Sequence, residues 1–143
     1  MVSFNKQYKD VEYIIRKGVY GVVFANEKVL MIRSNTKYIF PGGGMNKGET
    51  LSACLKREFF EELKAKNINI ISYIGAESFF DHIRKLDKNF EMIGYFIEIF
   101  IDEISLDKNT IWIKLKDIDN FNILPHHRWA INKLIRMKKP LLS

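Results

Sequence analysis

Cysteine is nearly missing from this chain: Cys54 stands alone among 143 residues, so no internal disulfide can form. Its place in a helical stretch reads as a packed thiol and not as a nucleophile. The opening Met1-Val2-Ser3-Phe4-Asn5-Lys6 has no signal-peptide apolar core. No hydrophobic run reaches membrane-spanning length. Linkers, repeats and low-complexity segments are missing as well. These absences predict one domain over residues 1–143, a reducing cytoplasm and no membrane partner. They leave monomer and homodimer equally open. Clustered charge is also absent. Lys and Arg outnumber Asp and Glu by 23 to 17, for a net +6, but the basic residues are scattered and form no stripe. That argues against a nucleic-acid partner. The wealth of Lys, Ile and Asn fits AT-rich coding DNA, and a positive surface still favours small anionic molecules.

What the chain does have is a dense pattern between Phe40 and Ala65. Pro41-Gly42-Gly43-Gly44 cannot lie inside a helix or a central strand, because proline lacks a backbone donor and glycine admits positive φ. It reads as a tight loop. Gly and Pro are then absent from Leu51 to Leu63, which predicts a helix there, with Thr50 as N-cap. On that helix Glu58, Glu61 and Glu62 stand at i, i+3 and i+4 and share one face within about 100° of arc. Leu51, Cys54 and Leu55 project in nearly the same direction, so the face enters the protein and sets the acids at the mouth of a cleft. Three adjacent carboxylates repel one another unless cations neutralise them. Mg²⁺ suits them, because it is a hard ion that takes oxygen ligands and bridges carboxylates to phosphates; Mn²⁺ is its substitute. Arg57, four residues before Glu61, is placed to orient an acid through a charge-assisted hydrogen bond.

The full spacing is Gly43, five residues, Glu49, seven residues, then Arg57-Glu58-Phe59-Phe60-Glu61-Glu62-Leu63-Lys64-Ala65. It resembles the Nudix box of the MutT-like Nudix hydrolase family, G-x5-E-x7-R-E-U-x-E-E-x-G-U, with Phe40-Pro41-Gly42-Gly43 as the usual lead-in. One position departs: Lys64 stands where the family carries glycine, and Asn67 is expected to take the turn after a slightly longer helix. The resemblance implies an α/β Nudix fold, with mixed β-sheets sandwiched between α-helices. It also implies a hydrolase acting on phosphorus-containing acid anhydrides. Such an enzyme is a Mg²⁺-dependent pyrophosphohydrolase. It cleaves the diphosphate linkage of a nucleoside diphosphate derivative or triphosphate and releases a nucleoside monophosphate. The alternative is a non-catalytic Nudix-like domain that senses a nucleotide. By the same resemblance Glu58, Glu61, Glu62 and the Gly42 carbonyl hold the metal, Arg57 aligns a glutamate, and Glu49 braces the loop. Glu58 is the favoured general base; Glu77, Asp81, Glu91, Glu103 and Asp107 are the other acids available on later segments.

Outside the box, residues 13–24 read as a strand and 28–33 as its hairpin partner across Ala25-Asn26-Glu27. Residues 69–80 and 90–101 read as long strands joined by a charged turn, and 110–115 as a short one. A helical turn is expected at Lys116-Asp117-Ile118 and a terminal helix over 125–138. Arg33 and Lys37 are candidates to meet substrate phosphates. Tyr38, Phe79, Phe80 and His82 are candidates to stack on a base. His126-His127-Arg128, opening the last helix, read as surface residues.

Overall fold

The computed structural model describes residues 3–5 and 7–139; part of the opening stretch read for a signal peptide therefore lies outside the described residues. Among the described residues, nine strands build two sheets and two α-helices pack against them. The larger sheet has the order β1-β7-β8-β2-β6, from β1 (Ser3–Phe4), β7 (Ile68–Ile83), β8 (Lys88–Ile101), β2 (Ile14–Val22) and β6 (Gly42–Gly44). It is mixed: β2 runs parallel to β8 and antiparallel to β6. In the smaller sheet β4 (Lys28–Ser34) pairs with β3 (Phe24–Ala25), β5 (Lys37–Ile39) and β9 (Thr110–Lys114). The expected hairpin is corrected here. Val23 interrupts the long strand, and it is the two-residue β3, not β2, that turns back on β4, through Asn26 and Glu27 at φ 53° and 60°. Two consecutive left-handed residues make the tight turn a hairpin needs.

Period-two alternation sorts the buried strand residues between two cores. Val19, Val23, Leu30, Ile97 and Ile99 pack with Cys54, Leu55, Phe59 and Leu63 of α1 (Leu51–Leu63). Val22, Val29, Met31, Ile74 and Phe96 pack with Ala130, Ile131 and Leu134 of α2 (Pro125–Lys138). The sheets thus lie between the helices. Phe59 is fully buried, which contributes about 2 kcal/mol. No helix among the described residues is long and apolar enough to cross a membrane. The helical turn expected at Lys116 is a 3-10 turn over Leu115–Asn120.

Helix α1 begins as expected, with Thr50 Oγ1 accepting from the Ala53 amide at 3.1 Å. Its end differs from expectation. Lys64 itself takes the left-handed conformation, φ 55° and ψ 25°, and the helix stops at Leu63. The Lys64 and Ala65 amides donate to Phe60 O (3.0 Å) and Phe59 O (3.3 Å), closing the last turn. Asn67 has no part in that turn. The position keeps the geometry that glycine serves without strain, although a lysine occupies it.

Candidate active site

The glycine segment and α1 meet face to face. In β6, Gly42, Gly43 and Gly44 lie opposite Tyr20, Val19 and Gly18 of β2. Gly42 has φ 143°, and a Cβ there would stand 2.1 Å from Val19 O, so no other residue fits. A Cβ on Gly43 would stand 2.7 Å from the Glu58 carboxyl group. Backbone and carboxylate therefore touch with no side chain between them. The Gly42 amide donates to Glu62 Oε1 at 2.8 Å, fastening the loop to the helix.

Arg57 organises the cluster. Its Nε and Nη2 donate to both oxygens of Glu49, at 2.7 and 2.8 Å. Nη1 donates to Glu58 Oε1 at 2.9 Å and reaches Glu61 Oε2 only at 3.4 Å. The sequence pointed to Glu61 as its partner; the shorter bonds go to Glu49 and Glu58. Nη2 also donates to Gly44 O at 2.9 Å, and Glu49 Oε1 accepts from the Asn46 amide at 2.7 Å. Arg57 and Glu49 together pin the loop from both sides. The Arg57 hydrogen bonds, followed by the Asn46 amide, hold the Glu49 carboxyl down at about 2. Its bonds to Glu49, and then to Glu58, raise the Arg57 guanidinium further above its already high value.

Glu62 behaves differently. Burial pushes it up to about 7, against the pull of the Gly42 amide, and the facing carboxylates of Glu58, Glu61 and Asp107 push it the same way. Crowded negative charge of this kind invites a cation. Glu61 is the exposed member, 56% accessible, and Glu58 the sheltered one at 14%. Among the described residues no three His, Cys, Asp or Glu side chains are gathered into a ready-made cage. Mg²⁺ does not require one, since it keeps several waters and binds through one or two carboxylates together with substrate phosphates. The hard-oxygen donor set therefore fits such an ion. Cys54 is buried, its Sγ 3.6 Å from the Gly43 and Gly44 carbonyl oxygens, and burial pushes its thiol up to about 11. It is packed, as expected, and inert as a nucleophile.

The remaining acids separate. Asp107 faces Glu62 closely enough to raise it; its own Oδ1 accepts from the Asn109 amide (2.8 Å) and Thr110 Oγ1 (3.0 Å), which holds it below its ordinary range. Glu77 is buried, Glu91 accepts from Ser78 Oγ at 2.9 Å, and Glu103 sits beyond the end of α1 beside Lys64 and Lys66. Arg33 Nε donates to Asn35 O at 3.2 Å in the exposed β4–β5 turn. Tyr38 packs edge-on to Phe121, and Phe80 edge-on to Tyr13. His82 is exposed beside Asn89 and Asp87.

The reading of His126 and His127 as surface residues is overturned. They are 3% and 1% exposed, packed at right angles with ring centroids 4.5 Å apart. His127 Nδ1 accepts from the Phe40 amide at 3.0 Å, just ahead of the glycine segment. Burial drives both rings toward the neutral form, His126 down to about 4. Adjacent residues on a helix point about 100° apart. At the first turn of α2, however, the two directions lead into Phe79 and into Phe40, and both are apolar. Beside them opens a cavity of about 490 Å³ between the β4–β5 turn, β7 and the start of α2, lined by Lys37, Ile39, Phe79, Asp81 and Met92 along with the two histidines. Tyr20, opposite Gly42 in the sheet, lines it too; burial, then Glu62 and Glu58, push its hydroxyl up to about 12.

Glycine loop, acid cluster and α/β sandwich together define a hydrolase architecture, and comparison with known proteins identifies it. The NUDIX domain family matches over residues 15–134. The chain belongs to that family, and the reaction class is hydrolysis at a pyrophosphate bond. Comparison with curated proteins gives no match. Among solved structures, the MutT protein from Methanosarcina mazei Go1 aligns with a TM-score of 0.64 and 19% identity, over 91% of this chain and 100% of that one. The Ap4A hydrolase of C. elegans aligns with a TM-score of 0.64 and 16% identity, over 90% and 100%. A bifunctional NMN adenylyltransferase/ADP ribose pyrophosphatase from Francisella tularensis, complexed with AMP and Mn ion, aligns with a TM-score of 0.56 and 20% identity, over 88% and 42%. At these identities the likeness is one of fold.

Proposed function

We propose that the protein is a divalent-metal-dependent pyrophosphohydrolase that cleaves the diphosphate linkage of a nucleotide derivative and releases a nucleoside monophosphate. The observation that carries this is the contact of a bare Gly42-Gly43 backbone with the Glu58 and Glu62 carboxylates. A diphosphate can approach that backbone closely because no side chain projects from it. Glu58, Glu61, Glu62 and the Gly42 carbonyl would hold Mg²⁺ or Mn²⁺. When bound, such an ion neutralises phosphate charge and makes the phosphorus more electrophilic. The complex of the Francisella protein with AMP and Mn ion is in keeping with this choice.

Glu58 is the residue that accepts the proton of the attacking water. The water oxygen bonds to phosphorus, the bridging P–O bond breaks with its electrons on the departing phosphate oxygen, and the water proton passes to the carboxylate. Arg57 fixes where that carboxylate points, through its 2.9 Å bond. Glu49 keeps Arg57 in place and so acts through it. Lys37, at the cavity, and Arg33, near the end of β4, are the cations we assign to phosphates farther from the acids.

The test is a panel of diphosphate-containing compounds, comprising nucleoside triphosphates, ADP-ribose, dinucleoside polyphosphates and nucleotide sugars, incubated with Mg²⁺ or Mn²⁺ and resolved by product mass. A nucleoside monophosphate released only with metal is expected. Tight nucleotide binding with no cleavage anywhere in the panel contradicts the enzyme and favours a sensing domain.

A further inference from the structure

Phe40 and Pro41 carry the chain from one sheet to the other, between β5 of the smaller sheet and β6 of the larger. The strand ladders are interrupted at such a step, so each buried backbone group there needs a partner of its own. Pro41 has no amide hydrogen to place. Its carbonyl oxygen accepts from the Gly21 amide of β2 at 2.9 Å. The Gly42 amide is held by Glu62 of α1. That leaves the amide of Phe40, a residue with no exposed surface. His127 Nδ1, on α2, accepts from it at 3.0 Å. Three elements thus hold three consecutive residues.

His127 is aimed at this task from two sides. The start of α2 is tied to β5: the Tyr38 amide donates to Asn122 O at 2.9 Å, and the Leu124 amide donates to Tyr38 O at 3.2 Å. The ring itself is boxed in. It stacks on Phe40, with centroids 5.1 Å apart, and meets Tyr20 and Phe96 edge-on at 4.5 and 5.0 Å. Tyr20 in turn lies opposite Gly42 in the sheet. Burial keeps the His127 ring neutral. A neutral imidazole that accepts at Nδ1 carries its proton on Nε2.

We propose that His127 is a positioning residue for the metal site, fixing through the Phe40 amide the backbone that presents the Gly42 carbonyl. The inference rests on the reading that this carbonyl and the α1 carboxylates hold a divalent ion, and it extends that site to the start of α2. His127 acts through two residues of backbone. A buried amide without an acceptor is costly, so loss of the bond shifts residues 40–42 and the carbonyl with them.

The experiment measures Mn²⁺ affinity by electron paramagnetic resonance without nucleotide, with Tm recorded for each protein. His127→Asn keeps an acceptor near the Nδ1 position and gives up the ring. His127→Phe keeps a ring and gives up the acceptor. A packing role alone predicts the greater damage in His127→Asn. Positioning predicts the reverse: Mn²⁺ bound about tenfold more weakly by His127→Phe and close to wild type by His127→Asn. Phenyllactic acid incorporated at position 40 replaces the Phe40 N–H by an ester oxygen and leaves every side chain in place. It should weaken Mn²⁺ binding to the same degree, and it decides by itself should His127→Phe fail to fold. Wild-type affinity in His127→Phe or in the ester protein overturns this inference alone, as does a greater loss in His127→Asn than in His127→Phe. A wild type that binds no Mn²⁺ overturns it together with the metal-dependent reading. Mn²⁺ binding with the expected differences but no cleavage in the diphosphate panel leaves this inference standing and removes the hydrolytic one.

Discussion

Arg57 grips both carboxylate oxygens of Glu49, eight residues earlier, at 2.7 and 2.8 Å, and with its remaining nitrogen holds Glu58 at 2.9 Å. The guanidinium is a planar fork that one ammonium cannot imitate. Arg57→Lys should therefore lower kcat by roughly ten- to a hundredfold, as loss of a ligand-orienting partner commonly does, with little change in Tm. Glu49→Gln should do the same to a smaller degree. Steady-state kinetics alongside thermal denaturation decide the point; full activity in Arg57→Lys would remove Arg57 from the positioning role.

The two central glycines should fail differently. Gly42→Ala drives a Cβ to 2.1 Å from Val19 O, a backbone atom in the sheet, and should impair folding. Gly43→Ala drives one to 2.7 Å from the Glu58 carboxyl group, which can swing away. That variant should fold and lose on the order of a hundredfold in kcat, because the acid is displaced by about an ångström. Circular dichroism and turnover measured on both variants test the contrast, which disappears if the two behave alike.

Lys64 holds a left-handed backbone, φ 55°, that favours glycine. Lys64→Gly should stabilise the protein by about 0.5–1 kcal/mol, since relief of strain exceeds the extra freedom glycine gives the unfolded chain. A urea midpoint that falls would show that Lys64 contributes more through its side chain than its backbone costs.

The buried histidines give stability a pH signature. The folded pKa of His126, about 4, lies below its ordinary 6.5, so the unfolded chain gains a proton that the folded one refuses. Stability is lost as pH falls from about 6.5 toward 4, by about 3 kcal/mol for His126 alone. Glu62 has the opposite sign: raised from 4.5 to about 7, it takes up its proton first in the folded state and opposes the loss across that window. Denaturation curves of wild type and His126→Phe between pH 7 and pH 4, subtracted from one another, isolate the histidine. The variant should lose less stability on acidification; parallel curves would contradict a buried neutral His126.

Much of this was legible in the residues, for identifiable reasons. Helix α1 was readable from Thr50 to Leu63 because a cap, good helix formers and an apolar stripe all agree. The sheet switch after Val22 was not, because Val22, Val23 and Phe24 are all apolar and their run carries no sign of a change of sheet. The end of α1 was misplaced because a lysine in a left-handed turn goes against local preference, and only the closing bonds to Phe59 and Phe60 impose it. His126 and His127 were misjudged because polar residues at a helix start are usually solvated. Their flank of Leu124, Trp129 and Ala130 was the signal that this helix start faces inward. The acid cluster was visible, but the preference of Arg57 for Glu49 and Glu58 over Glu61 depends on side-chain paths that spacing does not specify.

The central claim is that the carboxylates on α1 serve metal-dependent cleavage of a diphosphate. The most direct measurement is turnover of whichever panel compound is cleaved, titrated with Mg²⁺, for wild type, Glu61→Gln and Glu62→Gln with Tm recorded for each. The account predicts folded variants whose kcat falls by on the order of a hundredfold or more, matching several kcal/mol of lost charge stabilisation, and activity that vanishes with EDTA. Unchanged turnover in both variants, or cleavage that persists without metal, would contradict it.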